Sequence, residues 1–165
     1  RGGSHHLGPR LDIPDGFDQT VFHEELHSLY CGHLHPLFAA EPIRAEIEQS
    51  AFVVRPYANN RELRHFRKAK VRAYANNMEA QAAFILSGEF IGYLPEHYAH
   101  HWEALAQMRA LMSPATRIVR PFVIVTKSDT SSSPLQRLFI QELLAQGVHA
   151  QDGRQPAKAR GSGRH

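Results

Sequence analysis

The sequence has little of what stabilises secreted or membrane-embedded proteins. Cys31 is the only cysteine among 165 residues, so an internal disulfide is impossible and nothing points to an oxidising compartment. No apolar run approaches the ~20 residues that a membrane-spanning helix needs. A composition of 42% hydrophobic and 21% charged residues is typical of globular proteins. We therefore predict a cytoplasmic protein of one or two compact units without a membrane partner.

An excess of one charge and the common catalytic motifs are also missing. The 19 lysines and arginines nearly offset 16 acidic residues, which leaves a net charge of +3. Six basic residues fall between Arg61 and Arg72, where we favour a solvated surface over a nucleic-acid patch. The chain contains no G-x-S-x-G, G-x-x-x-x-G-K or G-x-G-x-x-G motif. We predict no catalytic residues, no cofactor and no enzyme activity.

The most informative stretch is KVRAYANNMEAQAAFILSGEFIGYLP, residues 70–95. Its first residues alternate as in a strand, an apolar helix follows, and Gly88 stands where a helix stop is expected. A second short strand then runs to Pro95. The pattern predicts a βαβ-type unit whose helix is apolar on most sides and is therefore buried on more than one side.

Two asparagines mark the start of this helix. Asn76 stands three residues before Glu79, as in a capping box, so we predict Asn76 as the N-cap. The first backbone N–H groups of a helix have no partner within it, and they attract anions. The residues predicted to offer them are Asn76, Asn77 and Met78.

Further elements follow from periodicity and turn residues. The predicted strands are residues 5–10, 20–23 and 26–31 (two strands or one long one), 51–55, 108–112 and 116–126; the predicted helices are 43–47, 96–105 and 133–147. Strand 116–126 is the most hydrophobic and is predicted to be buried on both faces. Ser133 and Pro134 form a strong helix start, Gly147 a predicted end, and the polar residues after it a disordered tail.

One segment matches a metal-binding motif. His23-Glu24-Glu25-Leu26-His27 has the H-E-x-x-H pattern of zinc hydrolases. The pattern requires a helix, because residues four apart are neighbours there but stand ~13 Å apart on a strand. The β-branched and aromatic flanks predict a strand, so we predict no metal ligand. A zinc-dependent hydrolase using His23, Glu24 and His27 is the alternative function.

Four segments, in their order, resemble the effector-binding domain of LysR-type transcriptional regulators. They are Leu29-Tyr30-Cys31-Gly32, His35-Pro36-Leu37-Phe38, EAQAAFILSGEFIGYLP from Glu79, and Ser133-Pro134-Leu135 at the start of a terminal helix. The resemblance covers most of residues 7–146. It implies an α/β, periplasmic-binding-protein-like fold of two lobes, with a small inducer between them.

The resemblance also implies a domain layout. Residues 1–28 would be the end of lobe I and the crossover, 29–111 a complete lobe II, 112–147 the return to lobe I, and 148–165 a disordered tail. The helix-turn-helix and the first part of lobe I of such regulators do not precede Leu7. We therefore expect the apolar faces of residues 116–126 and 135–144 to lie partly uncovered.

The family further implies where an effector binds and how it acts. The expected effector-binding residues are Gly8, Pro9, Arg10, Asn76, Asn77 and Met78, and a carboxylate is the chemistry that the helix N-terminus and Arg10 suit. The expected mechanism is lobe closure with rearrangement of a homodimer or tetramer. Operator DNA would be bound only through a helix-turn-helix that this chain lacks.

Overall fold

The computed structural model describes residues 13–56, 61–128 and 133–152. The predicted strand at residues 5–10, the predicted effector residues Gly8, Pro9 and Arg10, and the predicted tail from residue 153 onward lie outside these ranges.

The described residues form an α/β structure. Its strands are β1 (Phe17–Gly32), β2 (Ala51–Val54), β3 (Lys70–Tyr74), β4 (Phe90–Pro95), β5 (Met108–Ala110) and β6 (Ile118–Lys127). Its helices are α1 (Arg44–Gln49), α2 (Met78–Leu86), α3 (Glu96–Ala104) and α4 (Pro134–Asp152), with short 3-10 turns at Pro36–Phe38 and Arg61–Leu63. The predicted strands at 20–23 and 26–31 are therefore one long strand.

The chain divides into two compact units. Glu25–Arg120 forms one unit, and the described residues of 1–24 and 121–165 form the other. Strands β1 and β6 each contribute to both units. The chain thus crosses between the units twice. The domain boundaries at residues 28 and 111 stay a prediction.

The sheet of the 25–120 unit is mixed. Its strands lie in the order β3-β2-β4-β1-β5. β2 runs parallel to both β3 and β4, whereas β1 is antiparallel to β4 and β5. The carboxyl ends of β2, β3 and β4 therefore share one edge. β1 enters at that edge, because His27 pairs with Pro95 at the end of β4.

Alternation along the strands places apolar side chains on both faces of this sheet. On β1, Leu29 and Cys31 belong to one cluster and Tyr30 to the other. The first cluster also contains Leu37, Ile47, Phe52, Val54, Phe66, Ile91, Tyr93, Leu111 and Ile118. The second contains Val53, Ala75, Ala82, Ile85, Leu94, Ala99 and Met108. Cys31 is a fully buried core residue, and this burial raises the pKa of its thiol to about 11.

Helix α2 packs closely on the sheet, as the sequence predicts. Only Glu79 and Ala83 of its nine residues are exposed, which confirms a helix covered on most sides. Gly92 on β4 makes room for this packing: a Cβ there would lie 2.9 Å from both the Val53 carbonyl oxygen and its Cγ1. Gly88 ends the helix region with a φ of +79°.

The second unit leaves much apolar surface uncovered. β6 pairs with β1, and the Ser128 N–H donates to the Gly16 carbonyl at 2.9 Å. Phe122 and Val125 are 46% and 45% exposed, so the prediction that β6 is buried on both faces is wrong. The expectation of uncovered apolar faces is confirmed, since α4 also exposes apolar side chains, namely Leu135, Leu138 and Phe139.

Helix α4 begins as predicted and ends later. The Ser133 hydroxyl accepts a hydrogen bond from the Gln136 N–H at 3.2 Å, which confirms the N-cap. The helix continues past Gly147 to Asp152, so the predicted end at Gly147 is wrong. A glycine inside a helix costs only about 1 kcal/mol relative to alanine, which is too little to force an end. Among the described residues, no helix has the length and apolar character needed to cross a membrane.

Candidate functional site

The candidate site lies at the carboxyl edge of the parallel strands. Each of these strands ends there with polar residues: Arg55 follows β2, Asn76 and Asn77 follow β3, and Glu96 follows β4. In open α/β sheets, ligands bind outside the carboxyl ends of strands. β3 lies on one side of β2, and β4, the next strand along the chain, lies on the other side. The direction in which successive strands are added to the sheet therefore reverses at β2.

The cap of helix α2 is Asn77 and not Asn76. Asn77 has extended backbone angles, and its side-chain oxygen accepts a hydrogen bond from the Ala80 N–H at 2.7 Å. The predicted Asn76 cap is therefore wrong by one residue. Glu79 is then only the second helical residue, so it cannot complete a capping box. The backbone N–H groups of Met78 and Glu79, at the first two helical positions, have no carbonyl four residues earlier in the helix and can face an anion.

We expect the two asparagines to differ in their contribution to stability. Asn77→Ala should lower the free energy of unfolding by about 1 kcal/mol, because the Ala80 N–H loses its acceptor. The adjacent, exposed Asn76 is the matched control, and Asn76→Ala should change stability by less than about 0.5 kcal/mol. Urea denaturation of both variants measures the difference. Equal losses would contradict the assignment of Asn77 as the cap.

A buried ion network lies next to the end of β2. The carboxylate of Glu62, which is 1% exposed, accepts from Arg55 Nη2 at 3.0 Å and from Arg120 Nη2 at 2.5 Å. Both bonds use the same oxygen, Oε1, and the other oxygen, Oε2, is buried without a hydrogen-bond partner. Two guanidinium groups therefore share one carboxylate oxygen.

A second carboxylate joins β1 and Arg117, the residue before β6, to α3. Glu96, the first residue of α3, accepts from the Ser28 hydroxyl of β1 at 2.8 Å. The same oxygen, Oε1, accepts from Arg117 Nε at 2.5 Å. Glu96 thus fixes the segment that enters the unit and the segment that leaves it.

Glu25 and His27 form a third polar group on β1. His27 is fully buried, and its Nε2 lies 2.6 Å from Glu25 Oε2, while His97 Nδ1 lies 3.6 Å from the other Glu25 oxygen. Burial lowers the pKa of His27 to about 4, with Arg120 and Arg55 adding to the effect and the hydrogen bond to Glu25 opposing it. The ring is therefore neutral near pH 7, and Nε2 carries the proton given to Glu25.

This geometry does not support the zinc hydrolase alternative. The H-E-x-x-H segment lies on strand β1, where residues four apart stand ~13 Å apart. His23 packs against the ring of Phe122, with centroids 5.9 Å apart. Within residues 13–56, 61–128 and 133–152, no group of three or more histidine, cysteine or acidic side chains is arranged to hold a metal ion.

Part of this edge is predictable from the sequence. The helix N-terminus is predictable, because capping residues lie beside the helix they cap. Arg55, Glu62 and Arg120 are not predicted to meet, and the last two are 58 residues apart. One signal was available: Arg55 directly follows the apolar run Ala51-Phe52-Val53-Val54, and a charge at the end of a buried strand predicts a partner.

Comparison with known proteins matches the chain to a family of domains and to a transcriptional activator. The family model described as the LysR substrate binding domain matches residues 7–147. The HTH-type transcriptional activator BauR of Pseudomonas aeruginosa is 30% identical over 146 residues, which covers 84% of this chain and 48% of that protein. The chain thus spans about half the length of this curated relative.

Solved structures agree on the fold. The regulatory domain of CcmR from Synechocystis, in complex with 2-PG, is 20% identical, with a TM-score of 0.66 over 85% of this chain and 70% of that one. The regulatory domain of NMB2055 (MetR), a LysR family regulator from N. meningitidis, is 13% identical, with a TM-score of 0.66 over 85% and 68%. The bromide-bound regulatory domain of HypT from Salmonella typhimurium is 16% identical, with a TM-score of 0.58 over 82% and 67%. These likenesses confirm the predicted α/β, periplasmic-binding-protein-like fold.

Proposed function

Because the chain belongs to the LysR substrate binding domain family, we propose that it senses a small-molecule effector for a transcriptional regulator. The family is one of regulatory domains and not of enzymes. The observation that supports a ligand-sensing role most directly is the match of residues 7–147 to the family, together with the polar carboxyl edge of the sheet. The effector is a small molecule that bears an anionic group.

The proposed effector site combines two regions of the chain. Asn76, Asn77 and Met78 supply the N-terminus of α2, where the N–H groups of Met78 and Glu79 have no intrahelical acceptor and suit a carboxylate. Gly8, Pro9 and Arg10 are the second region in the proposal, with Arg10 as a bidentate partner of the same group. The bromide bound by the HypT regulatory domain supports an anion-binding role for this fold.

The proposed action is a shift between two arrangements of an oligomer. An effector shifts such an equilibrium only by as much as its affinities for the two states differ. We propose that it favours a closed arrangement of the two lobes, and that a homodimer or tetramer in the cytoplasm passes the change to a helix-turn-helix on operator DNA. The name of the BauR relative, an HTH-type transcriptional activator, supports this role.

The test is a thermal-shift screen of the purified chain against aromatic and aliphatic carboxylates. A ligand at 100 times its Kd adds about 2.7 kcal/mol to the free energy of unfolding. That corresponds to a rise in Tm of roughly 5 °C or more for a chain of this size. The matched control for each hit is the uncharged amide, for example benzamide for benzoate. If no compound raises the Tm more than its amide does, the proposal of an anionic effector is wrong.

A further inference from the structure

Arg120 has an unused hydrogen-bond donor. Its Nη2 donates to Glu62, but its Nε is buried without a hydrogen-bond partner. A buried N–H group without an acceptor costs about 1–3 kcal/mol. An acceptor brought by a ligand would recover that cost, and the Nε and Nη2 of a guanidinium together form the fork that binds oxyanions in a bidentate manner.

Arg117, three residues earlier, provides the contrast. Its Nε donates to Glu96 Oε1, so the donor that is unused in Arg120 is occupied in Arg117. Both arginines belong to the segment through which the chain leaves the 25–120 unit. Arg117 is the more exposed of the two, at 38% against 27%. Simple access to solvent would therefore favour Arg117 as an anion site, whereas donor availability favours Arg120.

The carboxylates described at this edge already accept from other donors. Glu62 accepts from both Arg55 and Arg120 through Oε1. Glu25 accepts from His27, and Glu96 accepts from Ser28 and Arg117. His27, whose Nε2 lies 2.6 Å from Glu25, is close enough to Arg120 for that charge to add to the effect of burial, which lowers the pKa of the ring.

We propose that Arg120 binds the oxyanion of the effector through its Nε and Nη2 groups, while Glu62 holds the guanidinium in place. The inference rests on the proposed function and names a residue that binds the effector's charged group. Carboxylates and phosphate esters share the required chemistry, since each presents two oxygens to one guanidinium. Nε is covered in this structure, so the atoms that cover it must move aside before an oxyanion can reach it, while one hydrogen of Nη2 keeps the bond to Glu62.

The experiment follows the arginine Nε–H signals of the full 165-residue chain by NMR. Sodium benzoate and inorganic phosphate are titrated separately at constant ionic strength, which distinguishes a carboxylate from a phosphate source. Arg120→Lys assigns the Arg120 signal, keeps the positive charge, and lets the lysine pair with Glu62. Arg117→Lys is the matched control.

We expect the Arg120 Nε–H signal to move and saturate, and Arg120→Lys to raise the Kd about tenfold or more. Arg117→Lys should change the Kd less than about twofold.

Two results would overturn the inference. If both lysine variants weaken binding equally, neither arginine binds the anion specifically, and Arg120 has no special role in binding it. If the Arg120 signal moves with neither anion, its Nε is satisfied by a bridging water only. The outcome is separate from that of the thermal-shift screen: a screen without hits rejects the proposed effector class, whereas the Arg120 titration tests anion binding at one residue.

Discussion

Glu62→Gln is expected to lower the free energy of unfolding by about 3–5 kcal/mol, the usual cost of breaking a buried ion pair from one side. The amide has the shape of the carboxylate but no charge, so Arg55 and Arg120 would face each other without the anion between them. Arg55 is 9% exposed and cannot regain full hydration without moving. The loss is a large fraction of the 5–15 kcal/mol that typically stabilises a domain.

A surface pair in the same unit serves as the control. Glu41 accepts from Arg109 Nη2 at 3.0 Å, the same distance as the Arg55–Glu62 bond, but Glu41 is 94% exposed. Glu41→Gln should therefore cost less than about 1 kcal/mol. Chemical denaturation of both variants at pH 7 measures the two effects. Similar losses would mean that burial does not strengthen the Glu62 network.

The parts of the fold that were predictable from sequence depend on neighbouring residues. Gly88 ends a helix because its own backbone takes a positive φ, and β4 follows at once. The sequence predicts the cap of α2 one residue early, because Asn76 and Asn77 can both cap a helix. Glu79 favoured Asn76 by completing a capping-box pattern, but only the conformation of Asn77 brings its oxygen to the Ala80 N–H.

The parts that were not predictable depend on distant partners. The composition of β6 predicts burial on both faces, but burial also needs something to pack against, and Phe122 is 46% exposed. The continuation of α4 past Gly147 shows the same limit, because one unfavourable residue does not decide the end of a 19-residue helix. Glu62 lies in a polar segment with no periodicity, and only the folded chain brings it to Arg55 and Arg120.

The three buried or half-buried carboxylates at this edge, Glu25, Glu62 and Glu96, each make such a contact between distant parts of the chain. Glu62 binds Arg120 of β6, Glu96 binds Ser28 of β1 and Arg117 just before β6, and Glu25 links β1 to α3. All three carboxylates act on segments through which the chain crosses between its two units. A ligand that competes for one of these contacts would therefore act where the chain enters or leaves the 25–120 unit.

The buried His27 should make stability depend on pH below neutrality. The pKa of His27 is about 4 in the folded protein, whereas the ordinary value, which we take for the unfolded chain, is 6.5. The unfolded chain therefore binds the proton more tightly. The stabilisation is complete above pH 6.5 and is lost as the pH falls from 6.5 toward 4. A shift of this size corresponds to a loss of about 3 kcal/mol in the free energy of unfolding.

The His27→Gln variant isolates this effect from those of other groups. Glutamine can still donate a hydrogen bond to Glu25 but does not titrate, so the variant should lose little stability between pH 6.5 and 4.5 on account of this site. Burial also lowers the pKa of His35 and His65, and their contributions are common to both proteins. The difference between the urea denaturation curves of wild type and variant, measured across this pH range, therefore reports His27 alone. If the two proteins lose stability in parallel, His27 is protonated in the folded state without cost, and its burial does not exclude the charged ring.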